Sequence, residues 1–103
     1  MLLRHATPIR NFPNIQRHGL LCRKSQGRLK AAWLATREKS SWAAMHVAWR
    51  HGVRIEAVIT LEVDVPRSWL RRSRKGLWYC TRDVPPDRIR RLFGFVELAR
   101  VAG

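Results

Sequence analysis

The chain has 103 residues, 46% of them hydrophobic, and carries 21 Lys and Arg against 7 Asp and Glu, a formal charge of +14. That length holds one domain with a real core. The apolar share excludes a disordered chain, no apolar run reaches the length of a membrane span, and the N-terminus lacks a signal-peptide core.

A charge of this size and sign implies a polyanionic partner: RNA, DNA or a phosphate-bearing cofactor. Arginine outnumbers lysine heavily, which suits planar, bidentate phosphate contacts. Cys22 and Cys80 lie far apart with no metal-ligand spacing. Two isolated cysteines of this kind point to buried thiols, a reducing compartment and a cytoplasmic protein without a metal site.

Met1 to Thr7 reads as a first strand stopped by Pro8. Asn11 has the character of a helix N-cap, with Pro13 in the first turn, where its missing N–H costs nothing. This predicts a helix over Asn11–His18 with Ile15 facing the core, closed by Gly19 as a left-handed cap. Leu20 and Leu21 follow as core anchors. Cys22 to Lys30 is a basic, polar surface loop. Its Arg23, Lys24, Arg28 and Lys30 are candidate phosphate contacts.

Ala31–Ala35 is a short second strand, and Thr36 is placed to cap the helix that follows. From Glu38 to Arg50 the apolar residues Trp42, Met45 and Trp49 recur at steps of three and four, which predicts a helix with that stripe in the core. His51-Gly52 ends it. Glu56–Val65 is the clearest strand. Ala57, Ile59, Leu61, Val63 and Val65 share one face, and Thr60, Glu62 and Asp64 the other. Two carboxylates on one face suit an acid/base or metal pair. The absence of a nearby histidine and the many arginines favour a solvated or Arg-paired face instead.

Pro66 ends that strand, and Ser68-Trp69-Leu70 is expected to turn the chain back onto the core. Arg67, Arg71, Arg72, Arg74 and Lys75 form the densest basic cluster. Beside Trp69 and Trp78 they are the best candidate for a nucleic-acid surface, with cations for phosphate and aromatics for bases or packing. Leu77 to Cys80, between Gly76 and the Pro85-Pro86 pair, reads as a buried strand whose pairing stops near Val84. Asp87 to Leu92 suits a short helical turn. Phe93 to Ala99 fits a strand by its alternating Phe93 and Phe95, or a helix by Phe95, Leu98 and Ala99.

Three of these segments, in order, resemble the ADP-ribosyltransferase-like superfamily, and within it the RNA 2′-phosphotransferases. The stretch Gly76-Leu77-Trp78-Tyr79-Cys80-Thr81 with Val84-Pro85-Pro86 and Ile89 is similar to the closing strand of the phosphotransferases. His5-Ala6-Thr7 through Asn14-Ile15 to His18-Gly19-Leu20 resembles the superfamily's opening motif, a His-Gly-Thr strand end followed by a helix finishing in Gly-Leu. Ala31 to Gly52 resembles its second strand and helix.

The resemblance implies an α+β fold of two small, mostly antiparallel sheets flanked by two helices, with NAD bound between the sheets. His5 would be the catalytic residue holding a ribose hydroxyl. The Ala6 backbone would hold the carboxamide, where the family has glycine; Thr7 would support the site and Trp33 would stack on nicotinamide. Protein-modifying relatives place a glutamate at the start of the strand that corresponds to Leu77–Cys80. Here Arg74-Lys75-Gly76 stands there, with no acid; RNA 2′-phosphotransferases also lack that glutamate, so the resemblance favours phosphate-directed chemistry, or no chemistry, over transfer to a protein side chain.

The phosphotransferases also carry an additional N-terminal lobe; this chain resembles their NAD-binding lobe alone, which leaves room for a partner chain that supplies the other. The expected function is thus an NAD-binding domain acting on phosphorylated RNA. The alternatives are a non-catalytic nucleic-acid-binding module using the Arg67–Lys75 cluster and a toxin-like factor that modifies nucleic acid with NAD.

Overall fold

The computed structural model describes residues 1–24 and 30–94. Six strands and two helices follow one another as β1 (Leu2–Pro8), α1 (Phe12–His18), β2 (Ala32–Ala35), α2 (Ser40–His51), β3 (Val58–Asp64), β4 (Leu70–Arg74), β5 (Leu77–Cys80) and β6 (Ile89–Gly94), with short 3₁₀ turns between them. The class is α+β, as expected. The strands make one antiparallel sheet in the order β4-β5-β2-β1-β3-β6, however, and not two.

The joint between its halves is narrow. β1 runs against β3 in register along its whole length, from Leu2 opposite Asp64 to Pro8 opposite Val58. β2 pairs with β5 over all four of its residues. Between β1 and β2 the register holds a single pair, Arg4 opposite Ala35.

The two-residue period sends alternate side chains to opposite faces. On one face Leu3, Leu34, Ile59, Leu61, Val63, Leu70 and Cys80 pack with Ile15 of α1 and with Leu20 and Val84. This core spans both halves of the sheet. On the other face Ala6 and Val58 meet Ala44 and Ala48 of α2. Small residues on both sides let α2 lie close to the strands.

That docking overturns one expectation. Trp42, Met45 and Trp49 are 48%, 59% and 80% exposed; the buried stripe is Ser40, Ala44 and Ala48. Every position of α2 between its first serines and its last turn is apolar except His46, so the periodicity marked two faces and the bulkier one is outside.

Several boundaries also move. α2 starts at Ser40, because Thr36 opens a 3₁₀ turn over Arg37–Lys39. Asn11 flanks α1 without a capping hydrogen bond; its Nδ2 donates to Thr7 Oγ1 at 3.3 Å instead. Gly19 has φ +81° with an extended ψ of −169°, so it is not a left-handed cap. It turns the chain into a two-residue bridge in which Leu20 and Val84 exchange both backbone hydrogen bonds at 2.9 Å.

Leu70–Arg74, read as a turn and a basic cluster, is a strand at the sheet edge. Pro86–Arg88 forms the expected turn one residue early, and β6 begins at Ile89 where a helical turn was expected to continue. Phe93 belongs to β6; Phe95, Leu98 and Ala99 lie outside the described residues.

Candidate functional site

Past their single pair, β1 and β2 part, and a cleft of about 940 Å³ opens at the seam. α1 walls it on one face of the sheet and α2 on the other, while Ser73, Arg74 and Leu77 close the end near the β4–β5 turn. A side-chain bond crosses the seam. His5 Nδ1–H donates to the carbonyl oxygen of Trp33 at 2.7 Å. This leaves the Nε2 lone pair to accept a hydrogen bond. Burial holds the imidazole below its ordinary pKa, against the opposing pull of the Trp33 carbonyl. His5 is therefore neutral at physiological pH.

Among the described residues the lining is cationic and contains no carboxylate. Arg4, Arg10, Arg23, Arg50 and Arg74 reach it, as do His5, His18, His46 and His51, which are all four histidines of the chain. Burial is the first cause that lowers the pKa of Arg4 and of His51, and neighbouring guanidinium groups add to it. These are Arg37 beside Arg4, and Arg10 and Arg50 beside His51, while Glu62 and Glu38 pull Arg4 the other way. Cations this close repel one another, so an anion bound among them gains from several at once.

The structure gathers the four expected cofactor residues at the cleft: His5, Ala6, Thr7 and Trp33. Thr7 is buried, and its hydroxyl accepts from Asn11. The methyl of Ala6 packs with Ala44, Ala48 and Val58 toward α2. His5 and Trp33 share the cleft from opposite sides. The alternation places the imidazole on the α1 face with Leu3 and Leu61, and the indole on the α2 face, tilted against Tyr79 with centroids 5.2 Å apart.

The expected phosphate contacts divide. Arg23 and Arg74 line the cleft. Arg71, Arg72 and Lys75 are exposed on β4 and its turn, and Lys30 is exposed where β2 begins. Arg28 and the side chain of Lys24 lie outside the described residues. The aromatics beside the β4 cluster are covered by the protein's own cations: Arg67 stands over Trp78 at 5.3 Å, and Arg82 and Arg88 over Trp69 at 4.1 and 5.0 Å.

The two carboxylates of β3 do not form an acid/base pair. Glu62 is paired with Arg90, whose Nε donates at 2.7 Å. Asp64 faces the N-terminal amine at 3.5 Å. Among the described residues no cluster of His, Cys, Asp and Glu has metal-binding geometry, and no helix is long and apolar enough to cross a membrane.

The cysteines stay apart. Cys80 is buried, while Cys22 lies at the surface, donating to Asp83 Oδ1 at 3.1 Å through its thiol, a contact that raises its pKa.

Sequence reasoning missed Arg4, Arg10, His18, Trp42, His46, Arg50 and His51 as lining residues. Part of the signal was present. His18-Gly19 and His51-Gly52 end the two helices, and both helix ends converge on the cleft. In comparisons with known proteins, no family model and no curated protein matches the chain.

Proposed function

We propose that the chain binds NAD in the seam cleft and acts on a phosphorylated RNA, as its resemblance to RNA 2′-phosphotransferases implies. One observation carries this reading: the cleft joins a neutral histidine, its Nε2 lone pair unclaimed by the Trp33 bond, to five arginines, and no Asp or Glu lines it among the described residues. A dinucleotide needs both features. Its ribose hydroxyls donate to an acceptor such as Nε2, and its pyrophosphate takes planar, bidentate donors.

His5, Thr7 and the arginines suit this ligand, whereas Trp33 stands on the opposite face of the sheet from His5. His5 would orient the ribose that bears nicotinamide, Thr7 would hold the neighbouring backbone through Asn11, and Trp33 would line the far wall with an aromatic face. The lack of a carboxylate among the described lining residues favours an anionic attacking group. NAD bound there would supply an electrophilic anomeric carbon with nicotinamide as its leaving group, and the arginines would position an RNA phosphate beside it.

A second reading keeps the fold and drops the chemistry. Arg71, Arg72 and Arg74 are exposed along the sheet-edge strand β4, a surface able to follow a nucleic-acid backbone without NAD.

The deciding experiment is incubation with NAD and a 2′-phosphorylated oligonucleotide, following nicotinamide release, beside calorimetry with NAD alone. Release or saturable binding that is weakened by His5→Ala supports the first reading. No heat and no release leave the basic module.

A further inference from the structure

The large side chains of α2 have no place in the core, yet they are ordered relative to one another. Trp42 and His46 stack with rings 7° from parallel and centroids 5.1 Å apart, and His46 meets Trp49 at 6.1 Å. Trp42 and Trp49 are exposed, so their outer faces are open to a ligand. The row runs along the helix for about 10 Å at 1.5 Å per residue. Trp42, His46 and Arg50, one ridge of that face, also line the cleft. α2 carries no Asp or Glu.

We infer that this row is a base-stacking platform on which single-stranded RNA lies as it enters the cleft. It deepens the function proposed above and rests on that reading only for the choice of RNA. Aromatic faces beside cations are the physical requirements for holding a single strand without regard to sequence, with bases on the rings and phosphates on the arginines. A row of about 10 Å accommodates two or three bases.

A second copy of this chain is a poor occupant, because each carries a formal charge of +14. An acidic apolar helix or an anionic bilayer would use the same residues as greasy area. A single strand would use them as flat rings, and this difference decides the test.

The test measures binding of a fluorescein-labelled single-stranded RNA decamer by anisotropy, with NAD calorimetry on the same samples. Trp49→Ala and Trp42→Ala should each weaken RNA binding about fivefold to a hundredfold, with the salt dependence unchanged, since no charge is removed. Trp49→Phe should retain most of the affinity and Trp49→Leu should lose it, because leucine keeps apolar area without a ring face.

Equal affinity in Trp49→Ala, or full retention in Trp49→Leu, overturns the inference. So does binding to phosphatidylserine vesicles that Trp49→Ala abolishes while RNA binding stands. Trp49→Ala should leave NAD binding intact. Loss of RNA binding in a chain that never binds NAD supports the platform and sinks the cofactor reading. NAD binding with indifferent tryptophans does the reverse.

Discussion

The imidazole of His5 and the carbonyl of Trp33 are joined at 2.7 Å across the gap where the backbone ladder between β1 and β2 stops. The bond fixes the tautomer of His5 and ties the two halves of the sheet at the mouth of the cleft. It sets up a linkage between protonation and folding.

Burial lowers the pKa of His5 in the folded state below its ordinary 6.5, and that of His51 in the same direction. The unfolded chain then binds more protons than the folded one below about pH 6.5, so stability increases with pH through that window. The contribution is complete above pH 6.5 and is lost as pH falls toward the folded-state value. Thermal melts should therefore show a falling Tm from pH 7.5 to 5.5. His5→Asn should flatten part of that fall and His5→Asn with His51→Asn more of it. Parallel curves for wild type and both variants would show that these groups do not titrate differently on folding.

Gly19 is required by geometry on two counts. Its φ is +81°, and a β-carbon there would lie 2.0 Å from the carbonyl oxygen of Val84, backbone that cannot swing aside. Gly52 also has positive φ, at +62°, with open space around it. Gly52→Ala should cost about 1 kcal/mol from the left-handed conformation alone, and Gly19→Ala about 3 kcal/mol or more because steric overlap is added to strain. Urea denaturation of both variants measures the difference. Equal losses would mean that the Leu20–Val84 bridge yields.

Leu61 and Trp49 exchange the importance that size suggests. Leu61 is fully buried in the core that spans both halves of the sheet, so Leu61→Ala should lose on the order of 2–5 kcal/mol. Trp49→Ala should change stability by about 0.5 kcal/mol or less, as an exposed substitution does. Denaturant midpoints test this pair directly. A large loss at Trp49 would mean that its ring contacts with α2 stabilise the helix.

The β4 arginines should be visible in salt dependence. If Arg71, Arg72 and Arg74 touch phosphates, each contributes roughly 0.7 to the slope of log affinity against log salt for a single strand and about 0.9 for a duplex. Replacing all three with Gln should flatten the slope by about two units. An unchanged slope would make them a charged guard on a sheet edge, which keeps such a strand from pairing with another copy.

Much of the fold was legible because it depends on local signals. The alternation in Val58–Asp64 and the punctuation by Pro8, Gly52 and Pro66 all mark elements that are present. What was hidden depends on partners. Alanines at 44 and 48 face inward because Ala6 and Val58 leave a shallow bed for the helix, and nothing in α2 alone shows that the small stripe outranks the large one.

β4 was obscure because Arg71 to Arg74 lie on an exposed edge, where alternation carries no apolar signal. The cleft was half legible. His5, Thr7 and Trp33 stood out by type and position, whereas Arg4, Arg10 and Arg50 were indistinguishable from the chain's many other arginines until the fold turned them toward one space.

The seam has a mechanical consequence. Among the described residues the ladder between the two half-sheets holds a single pair beside the His5–Trp33 bond, yet a single apolar core runs beneath both. A ladder fixes the angle between strands because its hydrogen bonds are directional; oil-like contact carries no direction. The joint can therefore open or twist by a small amount while its apolar surfaces stay covered. A ligand wedged into the mouth would set the angle between the halves, as a shim sets the angle of a hinge, and would report its presence to the far edges at β4 and β6.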